Sequence, residues 1–549
     1  MKHRTGCSLI GILFTLILAP APALALTDGD WEYIEENGGA TITGYTGVGG
    51  DVVVPSTVGE SIAVLKLGDY AFENNANMTS VIIPASVTEI GDYAFISCTA
   101  LTAVTIGPNV TYIGHGAFRV CGSLESITIP DSVTSMGSYV FDTCPNLAQV
   151  VIGNGLTSLE IGTFYKCTGL TSIDLGSNLE SIGQTVFKDC IGLTSITFPD
   201  SLTFIGNSAF WACRYLHTIN FGTGLTRIDA QAFYQCSSLL LIPLPDSVTS
   251  IGAQAFRECT NLSTIRIPDG VTEISDLMFY QCSNLNSISI GSGVTSIGKD
   301  AFRACVKLDG VVLPDGLTSI GDFAFYDCLS ISSITLPDGL ISIGAHGFRN
   351  CKALTHIDIP DSVTTIGDFA FMSDESLVSA TIGSGVTSMG THVFSVCLKL
   401  ATVHINAPLT SIPDGTFSND ESLNNVVVPA TVTSIGDWAL GRCSSLSTIY
   451  FLGDPPALEQ YAFRNSNPDM VIYYVSGNTA WGSTFAGYST EAFYPFFDME
   501  LAGDFLELHQ VGGIIQATTD LVTWTDLDPQ NLTQYEMDGV GMVFFRMKP

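Results

Sequence analysis

The amino-acid sequence predicts a mainly β solenoid of about 18 coils, with β caps at its ends and a small C-terminal β module. Two observations support this fold class. A phenylalanine recurs every 23 residues without insertion or deletion, and each 23-residue unit contains two short extended pieces joined by a turn. A fixed period of this length is typical of repeat architectures, because one unit cannot bury its own apolar face and must stack on its neighbours.

The repeat register begins at Phe72 and continues through Leu440 to Phe463, so that eighteen units share it. An aliphatic residue stands five positions before each repeat position. A glycine usually follows the aliphatic residue, where it would let the chain turn with a positive φ or let neighbouring coils approach closely. We expect the repeat phenylalanines to be buried throughout. The sixteen that precede Leu440 are Phe72, Phe95, Phe118, Phe141, Phe164, Phe187, Phe210, Phe233, Phe256, Phe279, Phe302, Phe325, Phe348, Phe371, Phe394 and Phe417.

Each unit reads as two strands and one short turn. In one unit Leu101, Val104 and Ile106 mark the first strand, and Val110 and Ile113 begin the second. Threonine and serine fill the alternate positions, as is common in strands with one buried face. Pro-Asp-Ser, Pro-Asp-Gly or Gly-Ser-Gly stands between the two strands, and these tripeptides favour a turn.

The consensus L-x-x-I-x-I-P-x-x-V-x-x-I-G-x-x-A-F-x-x-C resembles the BspA-like leucine-rich repeat family, a group of bacterial and protist surface proteins with 23-residue repeats. The resemblance covers most of the chain. It implies a leucine-rich-repeat-type right-handed solenoid in a secreted or cell-surface protein. Some members of this family are adhesins for host matrix proteins, but a repeat scaffold hosts many ligands, so the resemblance names none for this chain.

The N-terminus has the pattern of a secretory signal peptide, predicted over residues 1–25. Lys2 and Arg4 precede an apolar run, and Ala23-Leu24-Ala25 reads as a cleavage site, so the protein is expected to be secreted or held at the cell surface. Four further segments are predicted: an N-terminal β cap over 26–66, the repeat solenoid over 67–465, a C-terminal cap over 466–491, and a small β module of unknown role over 492–549.

Composition narrows the classes of partner. The chain has 20 basic and 53 acidic residues, a formal net charge of −33. Charge of this sign repels nucleic acid and anionic membrane surfaces, so neither is expected as a partner. After the signal peptide no stretch approaches the roughly 20 apolar residues of a membrane span, and we expect no membrane insertion. A monomer is expected.

Fourteen cysteines form one column, because each lies three residues after a repeat position. Asp374 and Asp420 occupy the same column, so a thiol is not required there. We expect a ladder of buried free thiols, since a free cysteine packs as a small apolar residue. Disulfides between adjacent coils are the alternative in an exported protein. The column comprises Cys98, Cys121, Cys144, Cys167, Cys190, Cys213, Cys236, Cys259, Cys282, Cys305, Cys328, Cys351, Cys397 and Cys443.

No catalytic, cofactor or metal motif is apparent, so the protein is not expected to be an enzyme. The histidines are spread over several columns, and neither H-E-x-x-H nor G-x-S-x-G occurs. Residues 293–299 read G-x-x-x-x-G-K but continue with Asp300, and they coincide with ordinary repeat columns. The aspartates that follow proline, such as Asp131 and Asp200, favour a turn, with weak calcium binding as the alternative. The alternative function is an exported carbohydrate-active enzyme on a β-solenoid, which would need two carboxylates in a groove; near-identical coils without a loop insertion offer none.

The column directly after the repeat phenylalanine is unusually rich in aromatic and basic residues along nine consecutive units. Such residues dominate the energetics of binding surfaces, so this column is the candidate ligand-binding site for an extracellular protein or glycan. The alternative for these residues is that they only support one another by cation–π stacking. A further hypothesis for the whole protein is a purely structural component of the cell envelope. The nine residues are Tyr165, Lys188, Trp211, Tyr234, Arg257, Tyr280, Arg303, Tyr326 and Arg349. They are called the aromatic–basic stripe below.

Overall fold

A computed structural model describes residues 24–493 and, beyond them, the backbone of six short strands. Residues 1–23 of the predicted signal peptide lie outside this part of the chain. The predicted fold class is confirmed: the chain is an all-β solenoid of about nineteen turns built from parallel strands. The described residues contain no helix long and apolar enough to cross a membrane.

The first strand of a coil, called the A strand, pairs in parallel with its equivalents in neighbouring coils, in several sheets of two to five strands; the coil around Ile334 has no A strand. The pairing follows the 23-residue period, as in Ile127 with Val150 and Val150 with Ile173. The A strands are Gly50–Val53, Met78–Ile82, Ala103–Thr105, Ser126–Ile129, Gln149–Ile152, Ser172–Asp174, Ser195–Thr197, Thr218–Asn220, Leu241–Ile242, Thr264–Arg266, Ser287–Ser289, Gly310–Val312, His356–Ile359, Ser379–Ile382, Thr402–Ile405, Asn425–Val428, Thr448–Phe451, Val471–Val475 and Tyr488–Phe493.

The second strand, called the B strand, is mostly shorter and pairs in parallel with the same period, as in Ile113 with Met136, in four separate sheets. Its outward residues are mostly threonine and serine. The B strands are Gly39–Tyr45, Ile62–Leu67, Glu89–Ile90, Tyr112–Ile113, Ser135–Met136, Ser158–Leu159, Ser181–Ile182, Phe204–Ile205, Arg227–Ile228, Ser250–Ile251, Glu273–Ile274, Ser296–Ile297, Ser319–Ile320, Ser342–Ile343, Thr365–Ile366, Ser388–Met389, Ser411–Ile412, Ser434–Ile435 and Ala457–Leu458.

A third ladder, the turn ladder, joins the turn segments that follow the B strands. In each segment the residues two before and two after the repeat phenylalanine generally adopt positive φ, as do Tyr93 (φ 55°) and Ser97 (φ 59°). This conformation directs backbone amides along the solenoid axis. The amide of Phe95 donates to the carbonyl of Ala117 at 2.7 Å, and that of Ser97 to Arg119 at 2.8 Å. Adjacent coils are therefore hydrogen-bonded through the turn ladder, and also through the A and B strands wherever these pair.

The glycine after the B strand serves close approach between coils. A Cβ atom on Gly114 would lie 2.4 Å from the backbone carbon of Gly91, and one on Gly252 would lie 2.4 Å from the amide nitrogen of Ala230. Of the two roles proposed for this glycine, the structure selects the second. Positive φ instead occurs beside the repeat phenylalanine, mostly at residues such as Val120 and Phe369 that carry a side chain.

The repeat phenylalanines form the centre of the core, and their predicted burial is confirmed. Phe210, Phe233 and Phe256 have no exposed surface. Adjacent rings lie nearly parallel, for example Phe95 and Phe118 with centroids 5.1 Å apart and planes 3° apart. Such a stack buries one large apolar ring in each coil, in register with the backbone hydrogen bonds. The 23-residue period of the sequence is therefore also the period at which rings recur in the core.

The fourteen column cysteines are free and buried, as predicted. Burial, which disfavours the thiolate, raises the pKa of Cys144 to about 12. Asp374 and Asp420 occupy the same column with no exposed surface. Each accepts the amide of the cysteine one coil earlier, Cys351 at 2.7 Å and Cys397 at 2.8 Å. Their second carboxyl oxygens have no hydrogen-bond partner among the described residues.

The two ends of the solenoid are covered differently. At the N-terminal end, strands Leu26–Asp28, Trp31–Glu36 and Gly39–Tyr45 are antiparallel neighbours, and Trp31 and Tyr45 pack against Phe72. Parallel pairing already begins between Gly39–Tyr45 and Ile62–Leu67. A short antiparallel pair, Thr57–Val58 with Ile62–Leu67, lies within this first coil.

At the C-terminal end, Tyr488–Phe493 pairs in parallel with Val471–Val475, and Thr484–Phe485 folds back on it as a hairpin. Trp481 packs over Phe451 with ring centroids 5.0 Å apart. Beyond this hairpin, short strands lie within the range predicted to form the small C-terminal β module. The strands described there are Leu501–Ala502, Phe505–Leu506, Ile515–Thr518, Thr525–Asp526, Tyr535–Glu536 and Phe544–Met547.

Candidate functional site

The aromatic–basic stripe lies on the outer side of the turn ladder. Its residues directly follow the repeat phenylalanines, so when each phenylalanine enters the core the next side chain lies at the surface. All nine are half-buried, because each is flanked by the equivalent side chains of neighbouring coils. The 23-residue period therefore brings residues that are distant in sequence into one row.

The first part of the stripe contains a lysine and two aromatic rings in contact. The Lys188 Nζ lies 3.9 Å from the centroid of the Trp211 ring, and Trp211 and Tyr234 have centroids 4.8 Å apart. Tyr165, at the start of the row, contacts Lys166 at 5.1 Å. The row is therefore continuous from Lys188 onward.

The second part alternates tyrosine and arginine, so that guanidinium groups are sandwiched between rings. The Arg257 Cζ lies 5.3 Å from the Tyr234 centroid and 4.7 Å from that of Tyr280. Arg303 lies 5.8 Å from Tyr280 and 4.9 Å from Tyr326. The row ends with Arg349, 5.8 Å from Tyr326. These distances are within the range of cation–π attraction, and stacking holds the side chains in fixed orientations.

Each arginine of this row is also held by the side chain three residues earlier. The Nη1 atoms of Arg257, Arg303 and Arg349 contact Gln254 at 3.3 Å, Asp300 at 3.0 Å and His346 at 3.3 Å, respectively.

The charges along the stripe are unevenly balanced. Arg257 pairs with Glu258 and Arg303 with Asp300, whereas Lys188 and Arg349 form no ion pair within the described part of the chain. Partial burial, and to a smaller extent Arg349, lowers the pKa of His346. Its neutral form provides an acceptor for Arg349 without adding charge. Uncompensated positive charge therefore lies near the two ends of the row.

A second aromatic row, which the sequence reasoning missed, runs beside the stripe. Phe323 and His346 stack with centroids 4.4 Å apart, His346 and Phe369 at 4.8 Å, and Phe369 and His392 at 5.2 Å. Arg303 lies over Phe323 as well as over the tyrosines. The same 23-residue spacing was the available signal, but phenylalanine and histidine alternate in this column, so no single residue type marked it.

The aspartates after proline act within the backbone. Asp131 Oδ1 accepts the amide of Asn154 at 2.7 Å, and Asp200 Oδ1 accepts that of Thr223 at 2.9 Å. These bonds join the turn of one coil to the turn of the next, which agrees with the interpretation as turn residues. Throughout the described ranges, no three histidine, cysteine or carboxylate side chains come together in a way that would hold a metal ion.

The phosphate-loop-like segment 293–299 is an ordinary part of one coil. It contains the B strand Ser296–Ile297. A Cβ atom on Gly293 would lie 2.1 Å from the carbonyl oxygen of Asp269, and the Lys299 amide donates to Asp276 at 2.7 Å. Its glycines accommodate the preceding coil, so the segment has no free cradle for phosphate.

Comparison of the sequence with family models finds a match to the BspA type leucine rich repeat region. The matches cover residues 65–192, 157–286, 227–354, 272–398 and 341–469, which together exceed half of the chain. No curated protein matches the chain in sequence.

Solved structures of bacterial leucine-rich repeat proteins resemble this one. A leucine-rich repeat protein from Bacteroides ovatus is 25% identical, with a TM-score of 0.56, and the match covers 71% of this chain and 95% of that one. A leucine rich cell surface protein from Faecalibacterium prausnitzii is 28% identical over 79% and 97%, with a TM-score of 0.29. The pneumococcal vaccine antigen PcpA is 16% identical over 86% and 98%, with a TM-score of 0.35.

Proposed function

Because the chain belongs to the BspA type leucine rich repeat family, we propose that it is an exported, non-catalytic protein that binds an extracellular protein or glycan through the aromatic–basic stripe. The family consists typically of surface or secreted proteins, and the N-terminal signal pattern agrees with export. The fold is a scaffold, so the binding function has to be argued from the surface.

The proposal rests on the unbroken row of side-chain contacts that runs from Lys188 to Arg349. A stable interface buries roughly 800 Å² on each partner, which at a coil spacing of ~4.8 Å needs about six to eight coils. The contacting row spans eight coils, and no single coil offers enough area. The stripe is therefore long enough to be one interface.

The stacking supports binding because it fixes the side chains before a ligand arrives. Ordering a flexible arginine at an interface costs roughly 0.5–1.5 kcal/mol, and this cost is reduced when rings already hold the guanidinium group. The faces of the guanidinium groups are covered, so their outer N–H groups remain as donors. A ligand rich in acceptors, an anionic glycan or an acidic protein patch, complements these donors and the uncompensated charges of Lys188 and Arg349.

A purely structural role is the second candidate, favoured by the same cation–π contacts. In that case the stripe would stabilise the outer edge of the coils and no ligand would depend on it. The two candidates differ in what happens when the side chains are removed.

The test is a triple variant, Trp211→Ala, Arg257→Ala and Arg303→Ala, assayed for binding to arrays of matrix proteins and polysaccharides. A matched control, Arg214→Ala, Tyr215→Ala and Arg227→Ala, removes one exposed aromatic residue and two exposed arginines outside the stripe. We expect the first variant to lose binding with a nearly unchanged thermal transition, and the control to retain it. A folded first variant that binds as wild type contradicts the proposal, and loss of folding supports the structural role.

A further inference from the structure

The turn ladder has an open end at the last coil. In the seventeen turn segments from Phe72 to Leu440, the amides of the repeat residue and of the residue two later donate to carbonyls of the next coil at 2.7–3.1 Å. At the last segment, the amides of Phe463 and Asn465 have no acceptor among the described residues. Two donors that bond to the next turn segment in every earlier coil therefore lack such a partner within residues 24–493.

The cause is that the closing coil is shortened. Val471 pairs with Ser489, an offset of 18 residues (489 − 471) in place of 23. The hairpin turns at Ala486 and Gly487, so no turn segment of the described chain stacks on the last one. A cleft of about 330 Å³ remains between them. We call it the terminal cleft; it is lined by residues 458–465 together with Ala486 and Tyr488.

The turn segment of an earlier coil shows which groups of a neighbouring segment it binds. The amide of Phe118 donates to the Val140 carbonyl at 2.9 Å, and that of Val120 donates to the Asp142 carbonyl at 2.8 Å. Between these bonds, the Arg119 Nε donates to the Asp142 carboxylate at 2.7 Å. Three consecutive residues therefore hold a neighbouring segment by two carbonyls, two residues apart, and by one carboxylate.

The last segment repeats this arrangement without its partner. Phe463, Arg464 and Asn465 have the order phenylalanine, arginine and left-handed residue, with a φ of 61° at Asn465. Arg464 is exposed, lies 4.6 Å from the Tyr461 ring centroid, and forms no ion pair in the described ranges. Glu459 is the one acidic residue in the lining of the cleft.

We propose that the terminal cleft binds a short acidic peptide segment of a partner protein. Two peptide carbonyls, two residues apart, accept from the amides of Phe463 and Asn465. An aspartate or glutamate at the second of these residues pairs with Arg464. Main-chain bonds to an open ladder edge provide affinity, and the carboxylate provides selectivity. This site is separate from the aromatic–basic stripe and does not depend on it.

A second copy of the chain is a less suitable occupant. In its first turn segment, Ala71 and Glu73 stand at the positions that Val140 and Asp142 occupy in the earlier coil, so the second of the two is acidic. However, Trp31 and Tyr45 of the N-terminal cap pack over Phe72, between these residues, and would separate the two ends. A free peptide segment meets no such obstacle.

The experiment uses the full chain and a synthetic peptide with the sequence of residues 137–143, which fills this position in the earlier coil. We expect it to bind, and the same peptide with Asp142→Asn to bind about threefold to fivefold more weakly, as for a partly exposed ion pair. In the Arg464→Gln variant the two peptides should bind equally. Arg442→Gln, which changes an exposed arginine of the preceding turn segment, is the control and should preserve the difference.

Further variants and amide exchange identify the site. Ala486→Trp should fill the cleft and abolish binding, while the stripe triple variant should bind the peptide as wild type does. Hydrogen exchange at Phe463 and Asn465 should slow when peptide is added. Absence of peptide binding overturns the proposal. So does protection of both amides before peptide is added, which would show that the chain itself fills the cleft, or self-association that Ala486→Trp prevents.

Discussion

The Cys121 thiol donates a hydrogen bond to the carbonyl oxygen of Phe95 at 3.2 Å. The same oxygen accepts the amide of Cys98 at 3.3 Å, so the thiol occupies its second acceptor position. The contact recurs along the cysteine column, for example from Cys236 to Phe210 at 3.1 Å. The thiols are therefore hydrogen-bond donors as well as small packing groups, which explains why cysteine rather than alanine fills the column.

We expect Cys236→Ala to lower the free energy of unfolding by about 1–2 kcal/mol, because it leaves a small cavity and an unused carbonyl position. Cys236→Ser should cost less, since a hydroxyl restores the donor. Ser466 shows that the column accepts a hydroxyl, because it donates to the Leu440 carbonyl. Urea unfolding measures the difference. A serine variant less stable than the alanine variant would show that packing alone determines the residue.

The column thiols are expected to be unreactive in the folded protein and free after unfolding. Burial raises the pKa of Cys98 and of Cys282 to about 12, so little thiolate forms near neutral pH. Alkylation followed by mass spectrometry, with and without denaturant and always without reductant, measures both states. We expect no labelled column cysteine in the native protein and fourteen after unfolding. Paired cysteines in the unfolded sample would contradict the free-thiol ladder.

Replacing a central repeat phenylalanine should open a cavity in the stack. Phe256→Ala is expected to cost about 3–5 kcal/mol. Its ring stacks on Phe233 and Phe279 with centroids 5.8 and 5.6 Å away, so neighbouring coils should lose protection first. Hydrogen exchange resolves this local loss, which a single global transition would hide in a repeat protein. Phe204→Thr, at a half-buried position, is the control and should change the protection of neighbouring coils little.

The sequence alone predicts the strands and core because period and burial coincide: Ile127 and Phe141 recur every 23 residues in buried positions. It does not reveal the turn ladder. Positive φ there falls on Val120 and Thr185, whose types usually avoid that conformation. The backbone bonds of the turn ladder, made only on stacking, favour it.

The site was predictable to a similar extent. The aromatic–basic stripe follows from one column of the repeat. The bond from Arg349 to His346 joins two columns and depends on the shape of the turn segment. The terminal cleft was not predictable, because Phe463 has the sequence of an ordinary repeat position. Its open amides result from the shortened coil that follows, between Val471 and Ser489.

Asp374 and Asp420 should make the C-terminal coils more stable at acidic pH. Burial raises the pKa of both carboxyls well above their ordinary value, although each accepts one cysteine amide. A group with a raised folded-state pKa binds its proton more tightly in the folded protein. Its contribution to stability is complete below the unfolded pKa, near 3.9, and is lost as the pH rises through the folded pKa.

The variants Asp374→Cys and Asp420→Cys restore the thiol of this column. Each is expected to stabilise the neighbouring coils by about 1–3 kcal/mol at neutral pH, since it removes a buried oxygen without a partner. The measurement is hydrogen exchange of residues 371–420 from pH 5 to pH 8, corrected for intrinsic rates. The local stability of the wild type should fall as the pH rises, and that of the double variant should depend less on pH.

Asp361 provides the control of opposite sign. It is exposed, and its bonds from the backbone and side chain of Ser384 lower its pKa. Its contribution to stability is therefore present above the unfolded pKa and is lost as the pH falls through the folded pKa. Asp361→Asn should then leave the dependence of stability on pH between pH 5 and pH 8 unchanged. If the wild type and the Asp374→Cys, Asp420→Cys double variant have the same slope, water or a rearranged coil must reach the carboxyls, and the column is not sealed at these positions.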